Sequence, residues 1–193
     1  RFSPDGWNAL ADLSKTATEL ARKVSEGDDA ARALTILLRK ISGFSGLVHE
    51  NMYHSEGWCF LSLGRAQERA DGMLALVLTF ADPEAASGAY EIAIEVGDSV
   101  MTHQRRYRFG ASRETVLDLL VQDGQNPRSV LYQIAQMRDQ LEALPQAGKG
   151  GTLSAPEKLL LMLHTDLRVK SPADLDNATL ADLRLRLSSV FDL

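Results

Sequence analysis

Apolar residues recur at intervals of three and four along almost the whole chain, the period of a helix with one buried side. Ser3-Pro4-Asp5 reads as a helix start: a hydroxyl to cap, a proline whose missing N–H costs nothing there, then an acid at the positive end of the dipole. The helix it opens lays Trp7, Leu10, Leu13, Ala17, Leu20 and Val24 along one face, and Gly27 follows. Asp28 or Asp29 caps a second helix, with Ala33, Leu34, Leu37, Leu38 and Ile41 inward and a continuation through Phe44, Leu47 and Val48. Gly43 and Gly46 either bend that helix or permit close packing. Ser55 and Glu56 open a third that runs to about Phe80. Asp82-Pro83-Glu84 ends it and starts a fourth, expected to pass through Ala86, Ala89, Ala93, Val96, Gly97 and Val100 and reach Arg105-Arg106-Tyr107. A short helix follows over 112–121. Asn126-Pro127 caps a longer one with Val130, Ile134, Met137, Leu141 and Leu144 inward, and two more are predicted over 154–169 and 172–191. No segment shows the alternating period of a strand. The expected fold is an all-α, mostly antiparallel bundle of about seven or eight helices. It reads as one domain over 1–193, with a Gly-rich flexible linker at 145–152 and a C-terminal helical pair over 153–193 packed on the bundle.

The third helix carries the candidate chemistry. Gly57, Leu61, Gly64, Glu68, Gly72 and Ala75 share one side, and small residues there suit close approach of another backbone. Glu68 sits within that strip, with Arg65 and Arg69 inside one turn of it. On a buried face these charges require a partner or a ligand, so the expectation is either an ion pair holding the bundle in register or a carboxylate-binding site. Glu50, shortly before the helix, reads as an acceptor at the helix start or as a second carboxylate of the site. In Arg105-Arg106-Tyr107-Arg108, Arg105 is the better inward candidate, while Arg106 and Arg108 suit a solvated C-terminal turn. Arg128 follows Pro127 at a helix start. With Asn126 and the free N–H groups of the first turn it outlines an anion cradle.

Composition narrows the classes. A net charge of −5 and a pI near 5.4 disfavour a nucleic-acid or anionic-membrane binder. No apolar run approaches the ~18 residues of a membrane helix. The single cysteine, Cys59, excludes an internal disulfide, sits between Trp58 and Phe60 as a core residue, and makes a reducing cytoplasm the default. His49, His54, His103 and His164 have no partners at a metal spacing, so no metal or other cofactor is expected. Gly148-Lys149-Gly150-Gly151-Thr152 lacks the strand and spacing of a phosphate-binding loop. Trp58 and the methionines at helical spacing read as core.

Phe44-Ser45-Gly46-Leu47, Glu50-Asn51-Met52, Gly57-Trp58-Cys59-Phe60-Leu61, Leu63-Gly64-Arg65, Glu68-Arg69, Arg105-Arg106-Tyr107 and Asn126-Pro127-Arg128-Ser129 with Gln133 follow one another along the chain. In these segments and their order the chain resembles the alpha-E family, bacterial all-helical proteins named for a Glu-Arg pair in a helix. The resemblance implies a preceding helical segment with its own Glu-Arg pair, absent from a chain that opens on Arg1, and a C-terminal extension beyond Leu193. The expected consequence of that missing segment is self-association through uncovered apolar surface. The resemblance also implies genetic association with circularly permuted ATP-grasp and transglutaminase-like proteins, hence a role in peptide or amide ligation. The expectation carried forward is a helical module that binds such an ATP-grasp partner or its carboxylate or peptide substrate. Arg65, Arg69, Arg105 and Arg128 would supply positive charge, and Glu50 and Glu68 would orient them or bind an amine. The rival expectations are an enzyme with Glu68 as general base and a purely structural interaction domain.

Overall fold

A computed structural model describes residues 3–145 and 151–191. Most of the expected linker and of the segment Gly148 to Thr152 lies outside the described residues. The described chain is helical throughout, without a strand among the described residues. It divides into two compact units, residues 1–58 and 59–193.

The first unit is a helical hairpin of α1 (Pro4–Lys23) and α2 (Asp28–Asn51). Ser3 caps α1 as its sequence signals: its hydroxyl accepts from the Gly6 N–H at 3.1 Å. The cap of α2 is Gly27, at φ 88°, with no side-chain bond, and Asp28 and Asp29 fall in the first turn, where they favour the dipole. The four residues between the helices turn the chain back, and Lys40 of α2 pairs with Asp12 of α1. Ala33 and Val48 are buried, whereas Leu34, Leu38 and Ile41, expected inward, are exposed. Gly43 and Gly46 meet nothing within 4 Å, so neither marks a close approach. Trp58 closes the unit in a ring cluster, stacked on His54 at 4.1 Å and edge-on to His49 at 5.8 Å.

The second unit holds most of α3 (Glu56–Phe80), then α4 (Ala89–Val96), α5 (Val100–Arg106), α6 (Arg113–Leu117), α7 (Val130–Glu142), α8 (Ala155–Val169) and α9 (Asn177–Ser188). The fourth helix of the sequence reading is therefore two. It starts at Ala89 rather than near Pro83, after Gly88 at φ 87°, and breaks at Gly97-Asp98-Ser99. Gly97 lies so near the core that an added Cβ would sit 2.6 Å from Leu120 Cδ2. Asp98 follows at φ 48°, a left-handed conformation that short polar side chains tolerate best. α6 is capped by Ser112, whose hydroxyl accepts from Thr115 N–H, and widens into a π turn over Asp118–Gln122. α8 carries a full capping box between Ser154 and Glu157.

One core gathers Leu63, Ala66, Ala70, Leu74 and Val77 of α3 with Leu117, Leu119, Leu120, Leu131, Ile134, Met137, Leu160, Leu163, Leu180 and Leu187. Met137 is buried as expected of the methionines, but Met101 and Met162 are exposed. Arg113 ties distant segments together. Its Nε donates to Ala81 O at 2.9 Å, and its Nη2 donates to Leu175 O at 2.7 Å and to Asn177 Oδ1 at 3.1 Å. α3 has no basic residue in its own last turn, and Arg113 supplies that cation from another helix.

Candidate functional site

The buried stripe of α3 is Cys59, Leu63, Ala66, Ala70, Leu74 and Val77, roughly opposite the strip expected to be buried. Gly57, Gly64, Glu68 and Gly72 are exposed. Gly64 and Gly72 meet nothing within 4 Å, and Gly57 meets only Met52 Cε, at 3.5 Å. The reason is competition between two stripes of similar spacing: the one with more apolar volume, Leu63 to Val77, takes the core. The neighbouring face docks on α9. Asp71 receives Arg184 through two bonds of 2.7 and 2.9 Å, and Gln67 donates to Leu187 O and Ser188 O.

The third face of α3 forms one wall of a cleft of about 280 Å³. Glu68, Arg69, Gly72, Met73 and Leu76 line it from α3, Val96 from the end of α4, and Pro127 and Arg128 from the turn before α7. The structure thus brings together Glu68, Arg69 and Arg128 from the expected set. Glu68 forms no ion pair among the described residues, so the expected Glu68–Arg contact does not exist, and a bundle lock built on it is excluded. Solvent reaches its carboxylate directly, and no burial demands a partner.

Arg65 and Arg69, one turn apart on α3, also lack an ion pair among the described residues. Burial, followed by the charges of Arg65 and Arg128, holds the Arg69 guanidinium below its ordinary range, with Tyr132 acting the other way. Three guanidinium groups therefore share one field. Asp98 compensates one of them, accepting from Arg128 Nη2 at 2.9 Å. The break between α4 and α5 puts that carboxylate in place and fixes Arg128 at the cleft.

The remaining expected residues stand elsewhere. Glu50 belongs to the first unit, is exposed, and lies 3.3 Å from His49 Nδ1, rather than bonding the start of α3. Arg105 is exposed, without an ion pair among the described residues, and lines no described cleft. The cation of that run that finds partners is Arg106, itself exposed as expected, which reaches Asp123 at 2.8 Å and Asp118 at 3.6 Å. One helical residue is a rotation of about 100°, and that step separates the expected from the observed arginine. The anion cradle before α7 is already filled. Ser129, not Asn126, caps the helix and accepts from Tyr132 N–H, while Asn126 Oδ1 accepts from Arg128 N–H and its amide donates to Ser99 Oγ and Leu119 O. Arg113 and Asp98 were not singled out by sequence reasoning. The capping Ser112 marks the helix that carries Arg113, but no local signal names its distant acceptors.

The family model for Alpha-E, a predicted alpha-helical domain with a conserved ER motif, matches residues 1–192. The sequence holds one Glu-Arg dipeptide, Glu68-Arg69, and the structure sets it on the cleft wall. The chain is 29% identical over 198 residues to uncharacterized proteins of Mycobacterium bovis and of two Mycobacterium tuberculosis strains. These alignments cover 98% of the chain and 22% of each relative, so the chain spans about a fifth of the length of the curated relatives it matches. No solved structure matches. No helix among the described residues is long and apolar enough to cross a membrane.

Proposed function

The chain belongs to the Alpha-E family, and we propose that it serves as a helical partner module in an ATP-grasp-associated peptide or amide-ligation system. In this reading the cleft on α3 receives a carboxylate of the ligase or of its peptide substrate. The observation that carries it is the trio Arg65, Arg69 and Arg128, a cationic field with a single carboxylate, Asp98, bonded to it. An incoming carboxylate takes a bidentate bond from Arg69 and relieves the repulsion between Arg65 and Arg69 at i,i+4. Met73, Leu76 and Val96 offer apolar surface to the chain that bears it, and Glu68 stands at the rim for an amide or amine donor. The share of its relatives that this chain spans supports a module that works beside other segments.

The test has two arms. A peptide with a free C-terminal carboxylate is titrated calorimetrically against its C-terminal amide, with wild type and Arg69→Gln. The carboxylate binds and the amide does not, and Arg69→Gln weakens binding at least tenfold. The module is then co-purified with a circularly permuted ATP-grasp protein encoded beside an Alpha-E gene, and ATP-dependent ligation is followed with and without it. Equal binding of acid and amide, or a ligation rate indifferent to the module, overturns the proposal.

A further inference from the structure

The hairpin of the first unit has two unlike sides. Along its seam α1 places Leu10, Leu13 and Ala17, and α2 places Ala33, Leu37 and Lys40, all buried or half-buried. One helical residue is a turn of about 100°, and in antiparallel helices the same step turns both to the same side of the pair. One step before the seam stand Asp12, Arg32 and Arg39, so that side is charged. One step after it stand Ala11, Ser14 and Thr18 on α1 and Leu34, Leu38 and Ile41 on α2. None of these six is charged, and all are exposed.

A scattered exposed leucine is ordinary surface. Here Leu34 and Leu38 are each 65% exposed and Ile41 47%, and their spacing of four and three is that of a coiled-coil seam. The residues beside them are small. The pair Asp12–Lys40 sets the register, which puts Thr18 level with Leu34, Ser14 with Leu38 and Ala11 with Ile41. A bulky ridge on α2 therefore runs beside a low shelf on α1, rung for rung. The Thr18 hydroxyl already donates to Ser14 O at 2.9 Å, so it takes no unmet donor into an apolar interface.

We propose that this uncharged side of the hairpin binds the same side of a second copy of the chain, completing a four-helix bundle. A two-fold axis parallel to the helices lays α1 of one copy over α2 of the other, antiparallel and at unchanged level. Leu38 then meets Ser14 of the partner subunit, Leu34 meets Thr18 of the partner subunit, and Ile41 meets Ala11 of the partner subunit. Every large side chain faces a small one, which fills the layer without voids. A two-fold axis across the helices stacks ridge on ridge and leaves the two shelves facing an empty space. Both halves of the fit lie on one chain, as a two-fold contact requires. The area suffices as well. Helices of 20 and 24 residues are about 30–36 Å long and about 10 Å wide, giving a face of about 700 Å². A stable interface takes about 800 Å² from each partner. The proposal rests on the first unit alone and not on the ligation reading.

Sedimentation equilibrium on the 193-residue chain reads the outcome. The expected mass at micromolar concentration is twice 21.2 kDa. Leu34→Glu/Leu38→Glu sets carboxylates in the seam and raises the dissociation constant at least a hundredfold, with helicity at 222 nm unchanged because both positions are exposed in the single chain. Arg32→Glu/Arg39→Glu, on the charged side, leaves the mass unchanged. A crosslink reads the register: a chain with Ser14→Cys and a chain with Leu38→Cys, mixed and mildly oxidised, form covalent dimers that neither forms alone. Cys59 is buried and stays out of this chemistry. The crosslink also keeps the test decisive if the glutamate variant loses helix. A monomer across the micromolar range overturns the proposal, and so does a dimer indifferent to Leu34→Glu/Leu38→Glu. Crosslinking of Leu38→Cys alone as readily as the mixture overturns it too. So does a monomer whose midpoint falls in the glutamate variant, since the chain itself then covers this face.

Discussion

Arg113→Met tests how much of the second unit depends on one guanidinium. Methionine keeps the apolar stem and removes the donors. Ala81 and Leu175, whose carbonyls Arg113 serves, have no exposed surface. A buried acceptor left without its donor costs about 1–3 kcal/mol, so two give about 2–6 kcal/mol. Arg113 is itself only half-buried, and water entering beside the shorter side chain recovers part of that. The expected loss is about 3 kcal/mol, a fall in midpoint of about 6–12 °C for a chain of this size. Urea unfolding followed by circular dichroism at 222 nm reads it directly. Arg113→Lys should fall between, because an ammonium can reach one carbonyl but cannot fork between two. Arg128→Met is the comparison: its pair with Asp98 is exposed on both sides, and such pairs contribute about 0–1 kcal/mol. If Arg113→Met costs no more than Arg128→Met, the carbonyls do not depend on the guanidinium and the reasoning fails.

Three further outcomes follow from the same geometry. Burial, reinforced by the bond to Asp118, pushes the Tyr107 phenol up to about 12 from its ordinary 10.0. The folded chain therefore holds that proton where the unfolded chain has lost it: the contribution is present below pH 10 and drains away as pH climbs to 12. Absorbance at 295 nm should show one of the four tyrosines titrating late, and Tyr107→Phe should flatten the alkaline fall in stability. The Arg184 bond holds the Asp71 carboxyl below its usual range, so its contribution is present at neutral pH and is lost as pH falls below about 4, and Asp71→Asn should flatten that acid arm in thermal melts. Glu68→Gln should leave the midpoint within about 0.5 kcal/mol of wild type, because the carboxylate is exposed and unpaired, while it lowers the ligation rate of the partner system. A large loss of stability in that variant would restore the structural reading of Glu68.

The helix starts at Ser3, Ser112 and Ser154 were legible because their signals are local. Ser3, Ser112 and Ser154 each cap within three residues of themselves, and a hydroxyl that close needs no tertiary information to find its N–H. The burial of α3 was not legible for the opposite reason. Gly57, Gly64 and Gly72 share one stripe and Leu63, Ala66, Ala70, Leu74 and Val77 another. Periodicity alone marks both, and only the helices that arrive later in the chain decide between them. The same limit explains why Arg106 and not Arg105 is paired: the counter-charges of Arg106, Asp118 and Asp123, belong to a helix and turn further along the chain. Of the six residues proposed as a site, Glu68, Arg69 and Arg128 meet at one cleft and Arg65 adds its charge to it. They line an open wall rather than a buried seam, and Glu50 and Arg105 stand apart from it.

The break between α4 and α5 is the feature that sequence periodicity passed over, and two clefts depend on it: that of Arg69 and Arg128, and a second of about 590 Å³ where α4, α5 and the segment 107–111 meet. On one unbroken helix Glu95 and His103 would be about 12 Å apart along the axis and about 80° apart around it, whereas here they line one cleft. The apolar spacing of Ala89, Ala93, Val96 and Val100 is compatible with that continuous helix, which is why nothing local announces the bend. Leu120 supplies the reason for it. Only a residue without a Cβ lets the backbone at position 97 come so near a fully buried leucine, and the chain leaves helical geometry there, with Asp98 at φ 48° and Ser99 Oγ turned back to Gly97 O at 2.9 Å. The bend then sends Asp98 to Arg128 in one cleft and brings Glu91, Glu95 and His103 around the other. A packing constraint in the core, imposed by a residue more than twenty positions downstream, thus sets where Asp98 meets Arg128 and where Glu91, Glu95 and His103 line the second cleft.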